Sequence, residues 1–139
     1  MYYMNRFEIQ CLHFIPSFIS DFGYYIYLQS NVGVTGQKAE MRSQNFYISQ
    51  EACFTFWYYM YGSTMGSLNV YLEVDGHKNK IWNVIGNKGD TWHQTALKIT
   101  TEKVFGIIFE GICGDVSKSD IAIDDIKLTP GTCAGKYYF

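Results

Sequence analysis

Apolar and polar residues alternate along much of this chain with a period of two. In SLNVYLEVD (67–75), Leu68, Val70, Leu72 and Val74 fall on one side and Asn69, Tyr71, Glu73 and Asp75 on the other. Successive strand side chains point to opposite faces, so this is the pattern of a half-buried strand. The preceding run, FTFWYYMY (54–61), sets Phe54, Phe56, Tyr58 and Met60 against Thr55, Trp57, Tyr59 and Tyr61. Between the two lies GSTMG (62–66), whose terminal glycines suit a turn with unusual backbone angles. The pair is predicted to form an antiparallel hairpin.

Further strands are predicted over 23–30, 38–43, 80–85, 92–100, 104–112 and 120–128, separated by the turn-forming clusters NVGVTGQ, VDGHKN, GNKGD, TTEK and GDVSKSD. No stretch shows helical periodicity. Short strands rich in Tyr, Ile, Val and Phe, punctuated by polar turns, predict an all-β fold, an antiparallel jelly-roll-like β-sandwich. The rings of 54–61 then belong to a central strand with one face in the core.

Composition narrows the class. The chain has 139 residues, one domain's worth, and is 47% hydrophobic, 18% aromatic and 17% charged, well outside the disordered range. Its formal charge is -2, with no run of Lys or Arg, so nucleic acid is excluded as an expected partner. Residues 1–20 loosely imitate a secretory signal, but Glu8, His13 and Pro16 interrupt it and no small-x-small cleavage site follows. The apolar run there is far short of the roughly 20 residues that cross a bilayer, so no transmembrane segment is expected.

Four cysteines, Cys11, Cys53, Cys113 and Cys133, allow three pairings, and spacing does not choose among them. No CxxC pair occurs and His13, His77 and His93 lie at no zinc-finger interval from them. Disulfides, and hence an oxidising compartment, are the better reading.

Three segments, CFTFWYYMYGSTMGSLNVYLE, IWNVIGNKGDTWHQTALKI and FGIIFEGICGDVSKSDIAIDDIKLTPGTC, together with GYYIYLQSNVGVTGQKAEMRS before them, resemble a MAM domain in order and spacing. The resemblance runs over 23–133. It implies an extracellular jelly-roll module for adhesion or recognition, without catalysis and without a cofactor, and a disulfide between Cys53 and Cys133. It leaves Cys11 and Cys113 without assigned partners. Residues 1–22 match none of the family's opening strands and are expected either to replace them as a divergent segment or to stand outside the module, and the tail 134–139 is expected outside it; the chain is then a piece of a longer cell-surface or secreted protein. The implied partner is a protein, including a second copy of the same domain in cis or trans.

Several residues are weighed as sites. Asp124 and Asp125 interrupt an alternating strand, where an inward carboxylate is costly unless neutralised. A calcium or other hard cation would neutralise it, with Asp124 the better placed because it shares a face with Ala122 and Leu128; a hydrogen-bonded structural or solvent-facing aspartate is the commoner explanation. The loop GDVSKSD (114–120) places oxygens at Asp115, Ser117 and Ser119 but has Ile126 where an EF-hand requires Glu, and reads as a polar turn. His93 has Asp90 nearby, yet neither GxSxG nor HExxH occurs. Glu73 and Glu110 are the carboxylates a glycosidase would need, but both fall where solvated acids are ordinary. Trp57, Trp82 and Trp92 could stack on sugars, which makes a carbohydrate-binding, lectin-like module the alternative function; the simpler role for these rings is packing. The loops NVGVTGQ, GSTMG and GNKGD are candidate contact elements because rigid scaffolds often bind through loops.

Overall fold

The computed structural model describes residues 2–3, 7–10, 14–18, 24–28, 36–63, 65–114 and 120–134, with side chains described for 25–27 and, from residue 36 onward, all of these but Asp120. Among them every regular element is a strand: β1 (Tyr2–Tyr3), β2 (Phe7–Gln10), β3 (Phe14–Phe18), β4 (Tyr24–Leu28), β5 (Lys38–Ser43), β6 (Ala52–Tyr61), β7 (Ser67–Val74), β8 (His77–Ile85), β9 (Trp92–Ile99), β10 (Phe105–Ile112) and β11 (Asp120–Pro130). No described helix is long and apolar enough to cross a membrane.

Two antiparallel sheets form a sandwich. One has the order β3-β4-β11-β6-β9, with β1 also paired to β11, and the other β2-β5-β10-β7-β8. The central strands β11 and β10 return from late in the chain to lie between earlier ones, the interleaving of a jelly roll. The segment 1–22, expected either to replace the opening strands or to stand outside the module, contributes β1, β2 and β3 to these sheets.

The alternation in β6 holds residue by residue. Phe54, Phe56, Tyr58 and Met60 are buried, while Thr55, Trp57 and Tyr59 are half-buried and Tyr61 is exposed. The inward rings meet β10 of the opposite sheet, with Phe56 edge-on to Phe109 at 5.0 Å and Phe54 5.8 Å from the same ring. Each such side chain contributes about 1.5–3 kcal/mol by leaving water, and edge-to-face geometry aligns the positive ring edge with the negative face.

The predicted hairpin between 54–61 and 67–75 does not form. Strand β6 pairs with β9 and β11, and β7 pairs with β8 and β10, so residues 62–66 carry the chain from one sheet to the other. Both strands have a large apolar face, and stacking those faces across the sandwich buries both. At this crossing Gly66 lies against the backbone of β10's end: an added Cβ would sit 1.8 Å from the Ile112 carbonyl oxygen. The true hairpin is β7–β8. Its two-residue turn is Asp75-Gly76, with φ of 51° and 76°, the left-handed pair that an Asp-Gly turn supplies. The cluster VDGHKN is therefore mostly strand.

Cys53 and Cys133 form the disulfide, 80 residues apart in sequence. Cys113 is a buried free thiol whose pKa is pushed up by burial. Cys11 lies outside the described residues.

Candidate functional site

The outer faces of the two sheets differ in chemistry. On the five-stranded sheet, Arg42 pairs with Glu73 and Lys78 with Glu40. Glu110 is only 5% exposed; its Oε1 accepts from Asn69 Nδ2 at 2.9 Å and from the Tyr71 hydroxyl at 3.1 Å. The expectation of a solvated Glu110 is thus corrected: its neighbours across β7 cover it and satisfy it. Nor do Glu73 and Glu110 converge. Glu73 lies opposite Gly106, four residues along β10 from Glu110, about 14 Å at strand spacing, whereas glycosidase pairs stand roughly 5–9.5 Å apart.

The six-stranded sheet presents rings instead. Tyr59 of β6 stands opposite Trp92 of β9 on one side and Ala122 of β11 on the other, and Ala122 opposes Tyr27 of β4. Ala122 is small, so the rings close over it. Tyr25 reaches within 6.1 Å of Trp92 although two strands separate their own. Tyr25–Tyr27 at 6.1 Å, Tyr59–Trp92 at 5.5 Å and Tyr59–Tyr61 at 6.4 Å complete a continuous aromatic surface. Tyr61 and Trp92 are its most exposed members, at 51% and 37%. The Tyr59 hydroxyl donates to Asp90 Oδ1 at 2.5 Å, which together with partial burial pushes its pKa up to about 12.

Asp124 also faces outward, opposite Trp57. The register shifts between Asp124 and Lys127, and Asp125 takes φ 50°, so the bulge places Leu128 in the core while Asp124 stays outside. The predicted common face of Asp124 and Leu128 is corrected accordingly; with Ala122 it holds. Asp124 Oδ1 accepts from the Asp125 amide at 2.7 Å, and Asp125 Oδ1 is 3.8 Å from Lys127 Nζ. Burial raises the Asp124 pKa, against the lowering effect of the Asp125 amide. Among the described residues no third His, Cys, Asp or Glu joins this pair. Residues 115–119 and the loop segment 31–35 lie outside the described residues.

A cleft of about 690 Å³ opens between the edge strands β8 and β9. All three tryptophans of the chain, Trp57, Trp82 and Trp92, line it together with Tyr58 and His93. His93 stacks on Tyr58 at 5.4 Å, and its Nε2 lies 2.8 Å from the Lys88 carbonyl; a carbonyl only accepts, so Nε2 carries the proton. Asp90 instead bonds Tyr59, so His93 and Asp90 form no catalytic pair. The sequence named the tryptophans but not their meeting with Tyr25 and His93, which depends on strand order rather than on any local pattern.

A disulfide-tied antiparallel sandwich with one charged and one aromatic outer face is the class this chain falls into. The MAM domain model (meprin/A5/mu) matches residues 9–134, and the chain belongs to that family. The match begins within the segment 1–22. MAM domain-containing glycosylphosphatidylinositol anchor protein 2 of human and of mouse is 38% identical over 125 residues, covering 81% of this chain and 13% of the relative. MAM domain-containing protein 2 of mouse is 40% identical over 116 residues, covering 81% of this chain and 17% of the relative. The chain thus spans under a fifth of these relatives. Among solved structures, the K3 adhesin domain of Lys-gingipain from Porphyromonas gingivalis superposes with a TM-score of 0.61 at 13% identity, covering 76% of this chain and 74% of that one. A family 16 carbohydrate-binding module-2 gives 0.53 at 15% identity, covering 79% of each. These likenesses are of fold.

Proposed function

We propose that this domain is a non-catalytic extracellular recognition module, part of a larger cell-surface or secreted protein, that binds another protein through the aromatic outer face of its six-stranded sheet. The observation that carries the reading is the joined surface of Tyr25, Tyr27, Tyr59, Tyr61 and Trp92. Tyr and Trp dominate interface hot spots because they offer large rigid area at little entropic cost. The names of the relatives, which include a glycosylphosphatidylinositol anchor, and the adhesin title of a fold neighbour support the surface location and the adhesive role. The partner we place on this face is a second copy of the domain: the face carries Lys127 as well as Asp124, and a net charge of -2 sets little repulsion against self-association.

The test is aggregation of beads coated with the domain. Wild-type beads cluster, and Tyr61→Arg or Tyr27→Ser beads stay dispersed with the fold retained by circular dichroism. Dispersed wild-type beads end the homophilic reading, and clustering that both variants leave intact removes the face from it.

A further inference from the structure

We infer that the cleft between β8 and β9 is a glycan site that takes a pyranose ring of an oligosaccharide, a function distinct from protein contact on the sheet face, with which it shares Trp92 at its border. Three observations converge on it. Its volume, about 690 Å³, falls in the roughly 300–1,000 Å³ range of small-ligand sites. Its aromatic walls are fixed before any ligand arrives: Trp82 is held edge-on by Phe56 and by Tyr58, each at 5.2 Å, and Tyr58 is stacked in turn on His93. Thirdly, Thr95 lines the cleft at 2% exposure, and among the described residues its hydroxyl has no hydrogen-bond partner. A buried hydroxyl left unpaired is costly, and native structures rarely tolerate one unless something else satisfies it.

The ligand class follows from that combination. A pyranose has one face of C–H groups, apolar and slightly positive, that suits the negative face of an indole. Around its rim it carries hydroxyls that both donate and accept. Asn83 and Gln94, amides with both capacities, sit in the cleft beside Thr95. Among the described residues no carboxylate lines the cleft and Lys88 is its one charged lining residue, so neutral and acidic sugars fit and amino sugars with a free ammonium do not. A nucleotide would need more than one cation for its phosphates. A peptide would pair along the β9 backbone and leave the Thr95 hydroxyl unanswered.

The experiment uses the whole chain titrated with cellotriose, chitotriose, N-acetyllactosamine and a heparin-derived tetrasaccharide, followed by tryptophan fluorescence. At least one is expected to shift the emission saturably. Thr95→Val keeps the side-chain shape and removes only the hydroxyl; it is expected to weaken that binding about tenfold while leaving the melting temperature unchanged or higher. Asn83→Ala, at an exposed position, is expected to weaken it similarly. Binding to none of the four, or undiminished binding in both variants, overturns the proposal. Neither variant touches Tyr27 or Tyr61, so bead clustering should persist in both and the two readings fail independently.

Discussion

The Tyr59 hydroxyl donates to the Asp90 carboxylate at 2.5 Å, fastening the middle of β6 to the loop that leads into β9. The carboxylate opposes formation of a phenolate beside it, and partial burial adds to this, so the phenol is pushed up to about 12 from 10.0. A raised folded-state pKa means that the contact's contribution to stability is complete below pH 10 and is lost as pH climbs from there through about 12. Alkaline absorbance titration should show late-titrating tyrosines, Tyr59 among them, because burial also raises Tyr58 and Tyr71. Asp90→Asn should bring one of them, Tyr59, back toward 10; an unchanged number of late tyrosines in this variant would assign the Tyr59 shift elsewhere.

Cys53 and Cys133 close a loop of 80 residues. In the chain-entropy account such a crosslink stabilises by about 4.5 kcal/mol, because it removes conformations from the unfolded chain. The double variant Cys53→Ser/Cys133→Ser should lose roughly that amount in urea unfolding. A loss under about 1 kcal/mol would mean that the unfolded chain is already compact across this span.

Gly66 is the point where the chain changes sheets, and its missing side chain is what allows the Ile112 carbonyl and the Gly114 amide to approach. These are backbone atoms, which cannot rotate away as a side-chain end could. Gly66→Ala should therefore cost about 3 kcal/mol or more. By contrast Gly36→Ala meets no atom of the described residues within 4 Å and has a φ of 85° as its cost there, so it should cost distinctly less. Gly66 has no positive φ, so comparable losses in the two variants would show that the backbone around it yields to the added methyl group.

Where strand faces are concerned, much of this was legible in the chain itself. The alternation of 54–61 separated core from outer rings correctly at each of the eight positions, because burial on one side of a pleated strand leaves a period of two. What failed was pairing. GSTMG joins two strands at hairpin distance, and a local pattern cannot say whether two apolar faces lie side by side in one sheet or face each other across two. Parity failed at Asp124 for a related reason: the bulge before Lys127 inserts one extra residue and reverses the alternation beyond it. Glu110 was misjudged because Asn69 and Tyr71, which bury and satisfy it, come from a strand some forty positions away. The aromatic face and the cleft both need the order of strands, which only long-range pairing determines.

Asp124 tests the cation expected from the sequence against the bulge. Its carboxyl is raised above 3.8 by burial, so the folded state favours the protonated form; stability from this group is greatest below 3.8 and falls as pH rises through its folded value. Asn at this position keeps an oxygen for the Asp125 amide and carries no charge. Asp124→Asn should consequently be at least as stable as wild type at neutral pH and should lack the decline between acid and neutral pH, measured by thermal melts across that range. Calcium should raise the melting temperature of neither protein, since one Asp124 oxygen is occupied by a backbone amide and Lys127 stands 3.8 Å from Asp125. A calcium-dependent rise in wild type that vanishes in Asp124→Asn would instead make the pair a cation site, with co-ligands from outside the described residues.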